Sequence, residues 1–171
     1  ELRRALDAKE VRLDDADRKE LAARYAEALL ALDGEIGVLL DELEKRGKLR
    51  DTLVVLLADH GEELGERGGI EHGHTLKEEL LHVPYVWKLP EGWHAGGLRH
   101  RAELVETRTL APTLMDLVGQ PIPPAVSAPS LVPWLVGDGP GRPPYTVLAA
   151  ESNGMFSVRD ARFKRSEERR V

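Results

Sequence analysis

The sequence predicts an α/β fold, a mostly parallel sheet flanked by helices, with a small C-terminal β-hairpin. Three observations carry that expectation. A long helical apolar pattern runs to about Arg46, and a short strand, Leu53 to Ala58, is apolar without alternation. A second strand at His82 to Leu89 is then reached through a stretch carrying a short helix, the order of a βαβ unit.

Taken in order, Glu1 to Val11 fits a short helix or an exposed lead-in. Leu13 to Asp17 offers N-cap carboxylates for the long helix. Within that helix Leu21, Tyr25, Leu29, Leu32, Ile36, Leu39 and Leu43 mark one broad apolar face. Gly34 and Gly37 inside it are expected to permit close packing against the sheet. Gly47 is a natural C-cap. The strand follows, its valines favouring burial on both faces. Gly61 to Gly73 reads as a Gly- and Glu-rich loop, with Thr75 capping a short helix from Leu76 to Leu81. Glu91 to His100 is a Gly-rich surface loop, and Ala102 to Val105 a brief strand. Pro112 sits in the first turn of a helix that runs to Val118 and stops at Gly119. Proline-rich, mostly irregular backbone spans Gln120 to Gly141, apart from a helical turn at Ser130 to Leu135. A strand at Tyr145 to Ala150 and a hairpin from Met155 to Lys164 close the chain. The whole is expected to be one piece, 1–119 an α/β core portion and 120–171 a Pro-rich connection with C-terminal strands.

Composition narrows the function. Of 171 residues, 42% are hydrophobic and 32% charged, which fits a globular chain able to build a core. A net charge of −6 argues against a nucleic-acid footprint. No apolar run approaches the roughly twenty residues of a membrane span, and no secretory segment opens the chain. Zero cysteines exclude disulfides, thiolate ligands and a cysteine nucleophile, and assign no compartment. Glu1 does not read as a natural start, so a longer parent chain is expected.

The chemistry concentrates after the first strand. Asp59 and His60 directly end it, where open α/β sheets place their ligand sites. A carboxylate and an imidazole there are costly unless something pairs with them, and they make good ligands for a metal ion. Glu71-His72-Gly73-His74 follows, with glycines at 68, 69 and 73 giving that backbone freedom to approach a ligand. Glu62 and Glu63 read as solvated loop charges, and His82, His94 and His100 as solvated surface histidines. Trp87, Trp93 and Trp134 read as packing residues.

Together the motifs resemble a known family. The series Asp51-Thr52, Asp59-His60-Gly61-Glu62-Glu63-Leu64-Gly65-Glu66, His72-Gly73, Glu78-Glu79, Val83-Pro84 and Ala111-Pro112-Thr113-Leu114 is similar to the C-terminal half of a sulfatase. That family belongs to the alkaline-phosphatase-like superfamily of metal-dependent hydrolases. The resemblance covers about Tyr25 to Lys164 and implies that the N-terminal half of the fold is absent. It implies that Asp59 and His60 ligate one divalent cation, Ca2+, Mg2+ or Mn2+, with Zn2+ as the alternative. His72, with His74 as second choice, would face a sulfate or phosphate ester and its leaving oxygen. The family nucleophile lies in the N-terminal half, so hydrolysis of sulfate esters by the 171 residues alone is not expected. A phosphoethanolamine- or glycerophosphate-type transferase, a phosphoester hydrolase and a catalytically inactive piece are the alternatives. The chain departs from the family at Thr109, where relatives often carry Asp, and at Lys77, where an aromatic residue is usual.

Overall fold

The computed structural model describes residues 12–93, 100, 102–137, 147–152 and 154–168. The expected lead-in at Glu1 to Val11, His94 with most of its loop, and the start of the strand at Tyr145 lie outside the described residues. The chain divides into two compact units, 1–50 with 60–83, and 51–59 with 84–171.

In the first unit the long helix α1 spans Asp15–Lys45. Asp14 caps it, accepting from the amides of Ala16 at 2.7 Å and Asp17 at 2.9 Å, while its own amide donates to the Asp17 carboxylate. Those amides of Asp17 and Ala16 hold the Asp14 carboxyl below its ordinary value. The helix ends at Gly47, whose φ of 65° is the left-handed conformation glycine adopts freely. Its apolar stripe is in place but only partly covered: Tyr25, Leu29, Leu32 and Leu39 are exposed, while Leu21, Ile36 and Leu43 are half-buried. A Cβ at Gly34 or Gly37 would meet nothing within 4 Å, so the close packing expected there is not made among the described residues.

The loop after residue 60 is more ordered than its composition suggests. Strands β2 (Glu63–Leu64) and β3 (Ile70–Glu71) pair antiparallel, with Leu64 opposite Ile70. The turn between them closes through Gly65 N–H to Gly69 O at 2.9 Å. Helix α2 is a single turn, Glu78–Leu81, that contributes Leu80 to a small core with Ile70 and Leu76. Its N-cap is Lys77 without a side-chain cap, so Thr75 does not cap it as expected.

In the second unit β1 (Val54–Leu57) pairs with β4 (Tyr85–Lys88). The pairing is antiparallel, Val54 opposite Lys88 and Leu57 opposite Tyr85. This corrects the expected parallel βαβ relation. A parallel return needs a crossover that carries the chain back along the strand, and one helical turn is too short to do so. The α/β character stands, but every described strand pair is antiparallel. Nor is β1 buried on both faces, for Leu56 and its partner Val86 are 43% and 52% exposed.

Helix α3 (Leu110–Leu117) ends before Gly119, at φ 69°. No strand forms at 102–105, where the backbone is irregular. A threonine ladder fixes α3 instead. Thr109 and Thr113 are both 0% exposed. Thr109 donates to Glu106 O at 2.6 Å and meets the Tyr85 hydroxyl at 3.3 Å. Burial pushes the Tyr85 phenol above its usual value, opposed by its hydrogen bonds. Thr113 donates to Thr109 O and accepts from Leu131 N–H at 2.9 Å, just before helix α4 (Val132–Leu135). The expected C-terminal hairpin is present as part of a three-stranded antiparallel sheet, β5 (Val147–Ser152), β6 (Met155–Asp160) and β7 (Lys164–Glu168). Asp160 makes its turn by accepting from the amides of Arg162 and Phe163.

Thr113→Val removes the acceptor of a buried amide without changing the side chain's shape. We expect a loss of about 1–3 kcal/mol, read as a lower midpoint in denaturant unfolding followed by Trp fluorescence. An unchanged midpoint would mean that the ladder does not hold α3.

Candidate active site

The site is organised around a close backbone approach at Gly61. Its N–H donates to Leu80 O at 2.9 Å, and a Cβ there would fall 1.9 Å from Glu79 O. Only glycine lets the chain run this near α2. Glu79 is itself tied down. Its own backbone amide, and then the Arg67 guanidinium at 2.9 Å, hold its carboxyl below the ordinary value, against the opposing effect of burial. His60 and Glu62 therefore flank a backbone point that cannot shift.

His60, Glu62 and His72 converge. One ligand atom from each lies within 4.8 Å of the others. The His60 and His72 rings stack with centroids 3.9 Å apart and planes 28° apart. His72 Nδ1 lies 3.1 Å from Glu62 Oε2. The backbone on either side of His72 is left-handed, Glu71 at φ 66° and Gly73 at φ 80°. Among the described residues Glu71 is the one non-glycine with positive φ, a strain of the kind that collects at functional sites. His60 Nδ1 is 2.9 Å from Gly61 O, and a carbonyl can only accept, so that nitrogen carries the proton. In the neutral ring the lone pair then sits on Nε2, the form in which imidazole binds a cation.

A second cluster lies beneath. Glu63 is 1% exposed, which corrects its reading as a solvated loop charge. Its carboxylate accepts from Lys77 Nζ at 2.7 Å and from Thr75 Oγ1 at 2.9 Å. His74 Nε2 lies 3.1 Å from Glu63 Oε2 but is poorly aligned for a hydrogen bond. His74 Nδ1 donates to His72 O at 3.0 Å. A side chain at Gly69 would crowd both Glu63 Oε2 and His74 Nε2 at 3.2 Å.

The residues singled out in the sequence are thus distributed unevenly. His60 and His72 meet; His74 is turned into the Glu63 cluster; Asp59 belongs to the other compact unit. Sequence reasoning missed Glu62 and Glu63. The available signal was their position beside the Asp59-His60 pair, set against a histidine-bearing segment ten residues on. His82 and His100 are exposed, as expected.

A family model described as Sulfatase matches residues 5–120, about two thirds of the chain. The chain belongs to the sulfatase family. It is 33% identical over 115 residues to an N-acetylglucosamine-6-O-sulfatase of Bacteroides thetaiotaomicron, covering 67% of this chain and 20% of the relative. It is 32% identical over 152 residues to human arylsulfatase A, covering 82% of this chain and 29% of the relative. A solved structure in complex with its substrate D-glucosamine-2-N,6-O-disulfate superposes with a TM-score of 0.69 at 26% identity, over 80% of this chain and 29% of the other. A phosphonate monoester hydrolase from Silicibacter pomeroyi superposes with a TM-score of 0.66 at 30% identity, over 80% and 30%. The chain spans between a fifth and a third of the length of these relatives.

Gly61→Ala places a methyl group against the Glu79 carbonyl. We expect a cost of about 1–3 kcal/mol as the loop shifts, with loss of the His60–His72 ring contact in proton NMR. Retention of that contact at full stability would show that Gly61 does not fix the loop.

Proposed function

We propose that residues 59–74 are this chain's share of a sulfatase-type site that hydrolyses sulfate esters. Asp59 and His60 hold one divalent cation, with Glu62 as a further oxygen donor, and His72 faces the departing ester oxygen. The convergence of His60, Glu62 and His72 is the observation that supports this reading most. Asp59 enters it on the sequence resemblance alone.

The donor set suits such a cation. His60 carries its proton on Nδ1, Glu62 supplies an anionic oxygen, and both lie in a segment fixed at Gly61. Nitrogen and oxygen donors together fit the Mn2+ or the alternative Zn2+ of the resemblance as well as its Ca2+ or Mg2+. When bound, the cation would neutralise ester oxygens as a Lewis acid. His72 does the proton work. With Nδ1 held 3.1 Å from Glu62 Oε2, Nε2 is the nitrogen that would serve the oxygen that leaves as a proton donor. Glu62 thus sets which way the imidazole faces. No nucleophile is assigned within these 171 residues, which hold no cysteine and no Cys/Ser-x-Pro-x-Arg segment. Phosphonate or phosphate ester hydrolysis is the second reading, and the likeness to the phosphonate monoester hydrolase favours it.

Calorimetric titration with Mn2+ tests the cation. We expect weak binding to the unaltered chain, lost in Asp59→Ala and in His60→Ala and weakened in Glu62→Gln. Equal binding by the unaltered chain and both alanine variants would remove the ligand assignment.

A second measurement concerns turnover. The purified chain with Mn2+ is expected to hydrolyse neither 4-nitrophenyl sulfate nor 4-nitrophenyl phenylphosphonate. Metal-dependent hydrolysis that persists through purification and disappears in His72→Ala would place the nucleophile within these residues.

A further inference from the structure

The Glu63 cluster is not used by the chemistry proposed above, yet Glu63 is the most deeply buried charge among the described residues of its unit. A carboxylate is not placed there for stability alone, since an apolar residue of similar volume would do as well. Its connections lead to the site. Oε1 accepts from Lys77 Nζ at 2.7 Å, and Lys77 supplies the counter-charge. Oε2 accepts from Thr75 at 2.9 Å and stands 3.1 Å from His74 Nε2. The other nitrogen of that ring, Nδ1, donates to His72 O at 3.0 Å. The His72 side chain then reaches Glu62 and stacks on His60.

We propose that Glu63 is a positioning residue that sets the placement of His72 through the His74 ring, with Lys77 as its counter-ion. This rests on the reading of His72 and its neighbours as the working face of the site. It also assigns His74 a role other than facing the ester. One ring nitrogen of His74 holds the backbone of the residue two positions earlier, and the other lies 3.1 Å from a buried carboxylate without a hydrogen bond to it, so Glu63 bears on the ring by charge and packing. The left-handed residues on both sides of His72 leave the ring's direction dependent on what holds its carbonyl, and His74 Nδ1 is the donor that does so. Gly69 completes the arrangement, because a side chain there would push between Glu63 and His74. Lys77 is the partner that makes a carboxylate tolerable at position 63.

The test is proton NMR of the 171-residue chain without metal, followed by Zn2+ titration of the same samples. The unaltered chain should give cross-peaks between the His60 and His72 ring protons. His74→Phe keeps the ring's bulk but removes both nitrogens, and Glu63→Gln keeps the shape but removes the charge. Both should lose those cross-peaks while the amide signals of α1 and of the Leu64–Ile70 pair, in the same unit, stay in place. Both should also bind Zn2+ about 10-fold more weakly, in line with the effect of groups that orient ligands from behind. The paired variant Glu63→Met with Lys77→Met removes the whole ion pair without leaving a buried charge, and it should lose the cross-peaks too. Cross-peaks that persist in His74→Phe and in the paired variant would overturn the proposal. Loss of the cross-peaks with no Zn2+ binding by the unaltered chain would sustain the positioning role and sink the cation reading instead.

Discussion

A carboxylate excluded from water must be matched by other groups, and that requirement at Glu63 organises the segment that carries the site. Lys77, Thr75 and His74 come from the far side of the β2–β3 turn to reach it, so the segment cannot stay an open loop. Removing one partner from a fully buried ion pair costs about 3–5 kcal/mol, an upper bound here because Lys77 is 29% exposed while Glu63 is enclosed. The same closure brings α2 under Gly61, where the absence of a side chain lets the backbone of 60–62 lie against it. Site geometry and local stability are therefore one arrangement, and neither His60 nor His72 is placed by its own immediate neighbours alone.

The long helix presents the opposite case. Its periodicity, its Asp14 cap and its Gly47 stop were all legible, because each depends on residues within one or two turns. What covers its apolar stripe was not legible and is not among the described residues. A pattern of leucines states which face must be covered, and leaves open by what. The exposed pair Leu56 and Val86 poses the same question on the two-stranded sheet. Relatives of which the matched part of this chain spans only 20% and 29% contain far more surface with which to cover such faces.

Legibility of the site followed the same division. Asp59 and His60 stood out because two ionisable groups end an apolar strand. Glu62 and Glu63 did not, since a pair of glutamates in a Gly-rich loop has the composition of a solvated turn. Their fates then differ: Glu62, just before β2, meets His72 at the surface, and Glu63, the first residue of β2, meets Lys77 beneath. No local signal distinguishes them; the distinction comes from a β2–β3 pairing only two residues long. The antiparallel relation of β1 and β4 was hidden for a related reason. The stretch between them looked long enough for a crossover, but those residues fold instead within the unit that contains α1.

The pairing of Glu62 with His72 carries a chemical consequence that the resemblance alone did not supply. A histidine facing a leaving oxygen must present one nitrogen outward and keep the other occupied, or its ring turns and the donor is lost. Glu62 occupies Nδ1, and the stacked His60 ring limits rotation about the remaining bond. Each of these three residues thus restrains another, so the cluster is held from within as well as by the buried layer below it. In the function proposed above, such double restraint would mean that no group has to reorganise as the leaving oxygen develops its negative charge.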